Sequence, residues 1–164
     1  MSAPKTPSPL LAATAIYLSV AFMIMGNSLQ LILLPIRGGI EGFSALQLGM
    51  LGSAYFLGFV AACAFAPFLI MRVGHIRTFA ALVSIASTTA LIYPMAPEIW
   101  LWVAMRALMG FCLSGLYLVV ESWLNDQATN ETRGMLISTY VTIIFAVTTV
   151  GQLLVTLFTP DSFV

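Results

Sequence analysis

Charged side chains are scarce in this sequence. Only 7% of its 164 residues are Asp, Glu, Lys or Arg, whereas about a quarter of an ordinary soluble domain is charged. Six basic residues balance six acidic ones, so the chain has neither the basic field that attracts nucleic acid nor an acidic tail for a basic partner. We therefore expect no nucleic-acid partner.

Histidine and cysteine are also rare, which excludes several kinds of site. His75 is the only histidine, so a zinc site with two histidine ligands is excluded. Cys63 and Cys112 each lie in an apolar run, where a small core residue is the simplest interpretation. The sequence contains neither a Gly-Lys phosphate loop nor a Gly-x-Ser-x-Gly nucleophile turn. It thus predicts no enzyme, no catalytic residue, no metal and no cofactor.

Apolar residues, in contrast, make up 60% of the chain, and the mean hydropathy is +1.03. Because about 20 helical residues cross the hydrocarbon layer of a bilayer, four long apolar runs can each span it. A fifth run is marginal, and it spans if its ends lie among the headgroups. We predict an all-α fold, a polytopic membrane bundle of five transmembrane helices, at residues 10–36, 45–71, 79–93, 99–123 and 135–158.

The predicted bundle covers residues 10–158, with short segments at both ends. Its first run has 27 residues, longer than the core of a cleaved signal peptide, so it should remain as the first span. Cytoplasmic loops carry the excess of Lys and Arg, which predicts a cytoplasmic tail at residues 1–9 and a periplasmic end at residues 159–164. The number of spans separately leads us to expect that this end is truncated. This orientation places Lys5, Arg72, Arg77 and Arg133 inside and only Arg37 outside.

Arg106 lies about seven residues into the fourth span, where an arginine is costly. One interpretation is that it faces a polar cavity and meets a substrate anion or a coupling carboxylate. The other is that it reaches back to the outer headgroups or ties helix ends together through backbone carbonyls. Gly110 continues its face of the helix. In the first span, Asn27 and Gln30 need hydrogen-bond partners, which a polar path or a neighbouring helix would supply. Arg106, Gly110, Asn27 and Gln30 are therefore candidates for a substrate or ion path.

Two further groups of residues carry an interpretation. Glu121 lies at the inner end of the fourth span, within reach of the arginines on that side. We expect it either to act as a gate latch or to form an ion pair at the membrane rim. On the second span, small residues recur every four positions and form a smooth face for close helix packing. These residues are Ala54, Gly58, Ala62 and Ala66.

Several short motifs resemble those of a known family. The inner segment MRVGHIR, residues 71–77, is similar to the loop motif G-x-x-x-D-R-x-G-R-R of the major facilitator superfamily, with Arg72 and Gly74 matching. The segment RALMGFCLSG, residues 106–115, resembles the family pattern R-x-x-x-G-x-G. Together with SAYFLG (53–58), VVES (119–122), RG (133–134) and GQLLV (151–155), these motifs resemble the YcaD-like branch of that superfamily over about residues 10–158.

The resemblance implies a secondary transporter of the bacterial inner membrane, built from two six-helix halves that alternate access around a central site. It implies that the inner gate is formed by Arg72, Gly74, Arg77, Glu121 and Arg133. The chain departs from the family pattern at several positions, including Pro67 in place of the leading glycine of the loop motif and Cys112 in place of the second glycine of the span-four pattern. Met71 replaces the acid of the loop motif, and Gln152 follows Gly151 where many drug antiporters have proline.

Five spans correspond to less than one half of such a transporter. We expect the N-terminal part of a transporter that moves an unknown small molecule by alternating access. Its partners would be membrane lipids, the substrate, and the remaining half or another membrane chain. The alternative is a transporter-derived structural or interaction subunit, packed into a larger membrane complex without transport activity.

Overall fold

The computed structural model describes residues 9–157, with the side chains of residues 14–155 and 157. The predicted ends, most of residues 1–9 and all of 159–164, lie outside this range, as does Lys5. Within it, the chain forms five long helices and one short 3₁₀ turn, Tyr93–Met95. The helices are α1 (Pro9–Ile40), α2 (Ala45–Val73), α3 (His75–Ile92), α4 (Ile99–Gln127) and α5 (Arg133–Leu157).

All five helices are long and apolar enough to cross a membrane. The all-α fold class is thereby confirmed for the described residues. The helices extend past the apolar runs in the sequence: α3 starts at His75 rather than Phe79, and α1 ends at Ile40 rather than Ile36. Hydrophobicity marks the part of a helix that lies in hydrocarbon, whereas the backbone hydrogen bonds continue into the polar headgroup region.

The connections between the first three helices are short and locally determined. Ser44 caps α2: its hydroxyl accepts from the Gln47 amide at 3.3 Å, and the Gln47 side chain accepts from the Ser44 amide at 2.8 Å. Gly74 alone separates α2 from α3, with φ 90° and ψ 160°, a conformation that is essentially restricted to glycine. The inner loop predicted at residues 71–77 is therefore a single residue between two helix ends.

The chain divides into two compact units. The terminal unit comprises Met1–Leu33 and Leu124–Val164, and so contains most of α1 and all of α5. In this unit the Tyr17 hydroxyl donates to the Leu136 carbonyl at 3.1 Å. Further along both helices, Gly151 lies against Ser28 and Met25. From the first contact to the second, the residue numbers increase along both helices, so α1 and α5 run parallel.

The central unit, Leu34–Trp123, is built on a close pairing of α2 and α4. Gly58 lies against Ala107 and Phe111, and Gly110 lies reciprocally against Tyr55 and Phe59. A Cβ on either glycine would overlap a carbonyl oxygen of the opposite helix. The same register continues toward the C-terminal ends of both helices, where the Cys63 sulfur is 3.6 Å from the Ser114 hydroxyl. Helices α2 and α4 thus also run parallel. Helix α3, which lies between them in the sequence, leads the chain back from the end of α2 toward the start of α4.

Candidate functional site

Arg106 is buried in the central unit, with 4% of its side chain exposed. Its Cζ lies 5.0 Å from the centroid of the Tyr55 ring, a cation–π contact. The Tyr93 hydroxyl is a second electrostatic neighbour, although the two groups do not reach hydrogen-bonding geometry. Within the described residues, Nε and Nη1 of Arg106 have no hydrogen-bond partner.

The neighbours of Arg106 in the described chain are phenols rather than carboxylates. Its electrostatic partners there are Tyr93 and Tyr55. The two phenol groups are neutral, so they stabilise the guanidinium through ring quadrupole and dipole without cancelling its charge. A net positive charge therefore remains at the depth of this side chain, where a charged arginine is costly unless a polar path or a counter-charge reaches it.

Helices α2 and α4 approach each other closely at Gly58 and Gly110, and we call this contact the glycine crossing. It lies one turn further along α4 than Arg106 and determines the position of that side chain. Gly110 allows the α4 backbone to approach Tyr55 and Phe59 closely. A close approach of the backbones brings the side chain four residues earlier, Arg106, over the Tyr55 ring. The face formed by Arg106, Gly110 and Ser114 thus contacts α2 in this conformation.

An aromatic cluster lies one turn from Arg106, toward the N-terminal end of α4. Trp102, one turn earlier on α4, donates its indole N–H to the Ala96 carbonyl at 2.9 Å. Its ring makes edge-on contacts with Tyr93 at 5.7 Å and Phe43 at 5.2 Å between centroids. Leu34 and Leu51 complete this core. The cluster connects the α1–α2 connection and the 3₁₀ turn to the N-terminal end of α4.

Asn27 and Gln30 belong to the terminal unit. Asn27 is buried and Gln30 is half-buried. In the described part of the chain, Asn27 Oδ1 and Gln30 Oε1 are both shielded from solvent and lack a hydrogen-bond donor. The neighbouring Ser28, in contrast, is satisfied because its hydroxyl donates to the Ile24 carbonyl at 2.8 Å. Two amide oxygens therefore remain open to a donor.

The C-terminal ends of α2 and α4 and the N-terminal end of α3 carry the predicted gate residues of the central unit. Arg72, Arg77 and Glu121 are exposed, and the Arg72 guanidinium lies 5.9 Å from the Phe68 ring centroid. A contact that the motifs did not indicate joins two of these helices: His75 Nε2 and Ser122 Oγ are 3.0 Å apart. Arg133 belongs to the terminal unit, where it begins α5 and is exposed.

The small residues of α2 are all buried. Ala54, Ala62 and Ala66 are at most 6% exposed, and Gly58 contacts the α4 backbone. Farther along α4, a Cβ on Gly115 would lie 3.8 Å from the Ala66 Cβ. The structure thus places this face of α2 against α4 along several turns.

Sequence reasoning missed Tyr55, Tyr93 and Ser122. The sequence indicated a substrate anion, a carboxylate, the headgroups or backbone carbonyls as partners of Arg106, whereas the structure supplies aromatic rings. A usable signal was present for Tyr55, because it lies between Ala54 and Gly58 on a predicted packing face and is the one aromatic residue there with a polar end. Ser122 ends the VVES motif (119–122), but nothing in that motif indicates its partner His75.

Comparisons with known proteins agree with this helical architecture. The family model described as the Major Facilitator Superfamily matches residues 16–163. The chain belongs to this superfamily. Its curated relatives include proteins named "Uncharacterized MFS-type transporter YcaD", from Escherichia fergusonii at 31% identity and from Salmonella arizonae at 29% identity, each over 157 residues. No solved structure matches the chain.

The matched region covers 94% of this chain but only 39% of each of these relatives. The chain therefore spans less than half of their length. Family membership makes it a multi-pass membrane protein of a transporter family. It does not favour the alternative of a subunit without transport activity.

Proposed function

We propose that this chain forms the N-terminal part of a secondary active transporter that moves a small molecule across the membrane by alternating access. Membership of the superfamily supports the transporter class. The match to less than half of the longer relatives supports the presence of further helices that complete the path. These helices and the surrounding lipids are its partners, and the small molecule is its substrate.

The observation that carries this proposal is the buried charge of Arg106. The guanidinium rests on Tyr55 and keeps Nε and Nη1 without partners in the described chain. A carboxylate or phosphate group binds a guanidinium through two parallel hydrogen bonds. In the proposed mechanism, Arg106 meets such a group, on the substrate or on a coupling helix, once the outer aromatic cluster around Trp102 opens. Gly110 permits the close approach of α4 to α2 that orients the guanidinium.

Asn27 and Gln30 form the uncharged part of the proposed path. Their two open amide oxygens accept hydrogen bonds from hydroxyl or amine groups. They lie near the middle of α1, the depth at which transporters of this kind bind substrate. The proposal assigns them to orientation of the substrate rather than to charge neutralisation.

The inner ends of the helices form the proposed inner gate. Arg72 and Arg77 flank the Gly74 turn, Glu121 lies near the inner end of α4, and Arg133 begins α5. The Lys and Arg distribution supports a cytoplasmic position for this side. Membership of the superfamily, with bacterial relatives, supports a location in the bacterial inner membrane. Because Met71 replaces the usual acid, the His75–Ser122 hydrogen bond is a contact available to hold α3 against α4 here.

The test uses the full-length protein in proteoliposomes. A pool of small metabolites is supplied outside, and mass spectrometry identifies those that accumulate inside relative to empty liposomes. We expect at least one solute to accumulate, and we expect Arg106→Ala to abolish its uptake. The control is Arg37→Ala, because Arg37 is an exposed arginine that pairs with Glu41 at 2.7 Å on the opposite side of the membrane from the gate.

Two results would contradict the proposal. Normal uptake by a correctly folded Arg106→Ala protein would remove Arg106 from the path. A protein that accumulates no solute from the pool, and that always purifies in fixed ratio with other membrane chains, would instead support the structural-subunit alternative.

A further inference from the structure

Two exposed arginines flank the single-residue turn at Gly74. Arg72 lies in the last turn of α2, and Arg77 lies in the first turn of α3. Helix α2 has 29 residues, so its length of about 43 Å matches the roughly 40–45 Å of a bilayer with its headgroup regions. With α2 across the bilayer, both arginines therefore lie at the level of the lipid headgroups.

Neither of these arginines has an ion-pair partner in the described part of the chain. Arg37 pairs with Glu41 at 2.7 Å, whereas no described carboxylate pairs with Arg72 or Arg77. The first turn of α3 contains no acidic residue, and no side chain caps it. Because the N-terminus of a helix itself carries a partial positive charge, the α2–α3 turn is a patch of net positive charge.

The backbone of the turn is held in place on both sides. The Gly74 amide donates to the Ile70 carbonyl at 2.9 Å, which closes the end of α2. His75 Nε2 and Ser122 Oγ lie 3.0 Å apart and fix the start of α3 against α4. A preorganised site loses less conformational entropy when a ligand binds. The two arginines are thus presented from fixed backbone positions, and their exposed guanidinium groups are accessible.

Large apolar side chains lie beside the arginines. Phe68, Met71 and Ile76 are 56%, 80% and 81% exposed. The Cζ of Arg72 lies 5.9 Å from the centroid of the Phe68 ring, so the guanidinium is on the same exposed side of α2 as this ring. A ligand that matches both features has an anionic head next to a hydrocarbon tail. Anionic phospholipids combine these two groups.

The residue before Arg72 leaves its guanidinium available to such a ligand. The loop motif of the superfamily has an acid at this position, and this chain has Met71. A carboxylate there would repel a phosphate group and would compete with it for the guanidinium. In its absence, the phosphate of a lipid accepts hydrogen bonds from an arginine fork without that competition.

We propose that the α2–α3 turn binds the headgroup of an anionic phospholipid. Arg72 and Arg77 contact the phosphate, and the exposed apolar side chains beside them contact the acyl chains. The lipid supplies the negative charge that the chain itself lacks at this turn. This site requires only that α2 and α3 lie in a membrane, so it does not depend on the proposed transport function.

The test measures lipid binding to the full-length protein in detergent by native mass spectrometry. Phosphatidylglycerol, which is anionic, is compared with phosphatidylcholine, which is zwitterionic and is used with the same acyl chains. A basic side chain near an anionic lipid surface strengthens binding by roughly a factor of five. We therefore expect the first phosphatidylglycerol to bind at least about tenfold more tightly than phosphatidylcholine.

Single substitutions locate the binding site. Arg72→Gln and Arg77→Gln should each weaken the binding of phosphatidylglycerol about fivefold, with little effect on phosphatidylcholine. Arg37→Gln is the matched control, because Arg37 is also an exposed arginine but already pairs with Glu41. It should leave the preference for phosphatidylglycerol unchanged.

A second pair of variants retains both arginines. Met71→Glu introduces a competing carboxylate beside Arg72, and Met71→Gln introduces a neutral side chain of similar size. Because Met71 is 80% exposed, neither change disturbs a packed core. We expect Met71→Glu to weaken the binding of phosphatidylglycerol and Met71→Gln to leave it unchanged. This comparison also decides the question if an arginine variant fails to fold.

Three results would overturn the proposal. The first is equal binding of the two lipids by the unmodified protein. The second is an unchanged preference for phosphatidylglycerol in the folded arginine and Met71→Glu variants. The third is displacement of phosphatidylglycerol by an equal concentration of glycerol phosphate, since the turn would then bind a free phosphate rather than a lipid. A lipid preference that follows the arginines in a protein that accumulates no solute would support the lipid site and refute only the transport function.

Discussion

Tyr55 lies with its ring 5.0 Å from the Cζ of Arg106, and this pair joins α2 to α4 at the buried charge. The pair makes the position of the guanidinium a property of two helices rather than of one. Any motion that separates α2 from α4 at this level would also expose Arg106, which is now only 4% exposed. The charge and the helix contact are therefore coupled.

The first prediction concerns the ring of Tyr55. Tyr55→Phe retains the cation–π contact, whereas Tyr55→Leu removes it, so we expect the Leu variant to be less stable than the Phe variant by about 0.5–2 kcal/mol. Thermal unfolding of the purified full-length protein in detergent measures the difference. The same two substitutions in an Arg106→Met background provide the control. If the Phe–Leu difference is unchanged there, the ring does not act through the guanidinium.

The second prediction concerns the glycine crossing. Gly58→Ala and Gly110→Ala each place a methyl group into the opposing helix backbone. Overpacking costs typically about 1–3 kcal/mol, and backbone atoms cannot rotate away as a side chain can. We expect both variants to unfold at lower temperature or to aggregate on extraction.

Gly52→Ala is the matched control for this crossing, because Gly52 lies on the same helix with nothing within 4 Å of an added Cβ. It should be neutral or slightly stabilising, since alanine is the better helix former. Equal behaviour of Gly52→Ala and Gly58→Ala would argue against the close α2–α4 approach.

The third prediction concerns the turn between α2 and α3. Gly74 has room for a side chain, with nothing within 4 Å of an added Cβ, but its φ of 90° and ψ of 160° do not suit one. Gly74→Ala should therefore destabilise the protein by roughly 1–3 kcal/mol through backbone strain alone. Gly134→Ala, at an equally open position on α5 without a positive φ, should have little effect on the unfolding temperature. A neutral Gly74→Ala would mean that the turn adopts another conformation.

The fourth prediction concerns the hydrogen bond between His75 and Ser122, which joins α3 to α4. At 3.0 Å, it should contribute about 0.5–1.5 kcal/mol of stability. Ser122→Ala and His75→Ala should each lower the unfolding temperature, and the double variant should lose less than the sum of the two. Strict additivity of the two effects would show that the side chains do not interact. Ser138→Ala, which affects only a local helix contact, serves as the control.

The overall architecture was predictable because it follows from one strong signal. Five apolar runs in a nearly uncharged chain predict five membrane helices, and the order of the short motifs predicted the superfamily. The ends of the helices were less predictable. The polar residues His75 and Arg77 interrupt the hydrophobic pattern before Phe79, but they still continue the backbone hydrogen bonds of α3. Glycine at position 74 marks the true boundary through its dihedral angles.

The surroundings of the candidate site were less predictable than its central residue. Arg106 is conspicuous in the sequence because a charge in hydrocarbon is rare. Its neighbours Tyr55 and Tyr93 are ordinary members of apolar runs, and only the three-dimensional register of the helices selects them. The partner of His75 likewise depends on how α3 meets α4, which neither composition nor periodicity specifies.

The single-residue turn at Gly74 has a practical consequence for labelling the protein. An inserted epitope or fluorescent reporter at that turn would separate two helix ends that share one residue. The segment between α4 and α5 offers a better place, because Asn130 and Glu131 are exposed and lie in a short turn closed by Thr129 and Thr132. Exposed turn tips tolerate insertions. A reporter between Asn130 and Glu131 would also show which side of the membrane this end of the bundle occupies.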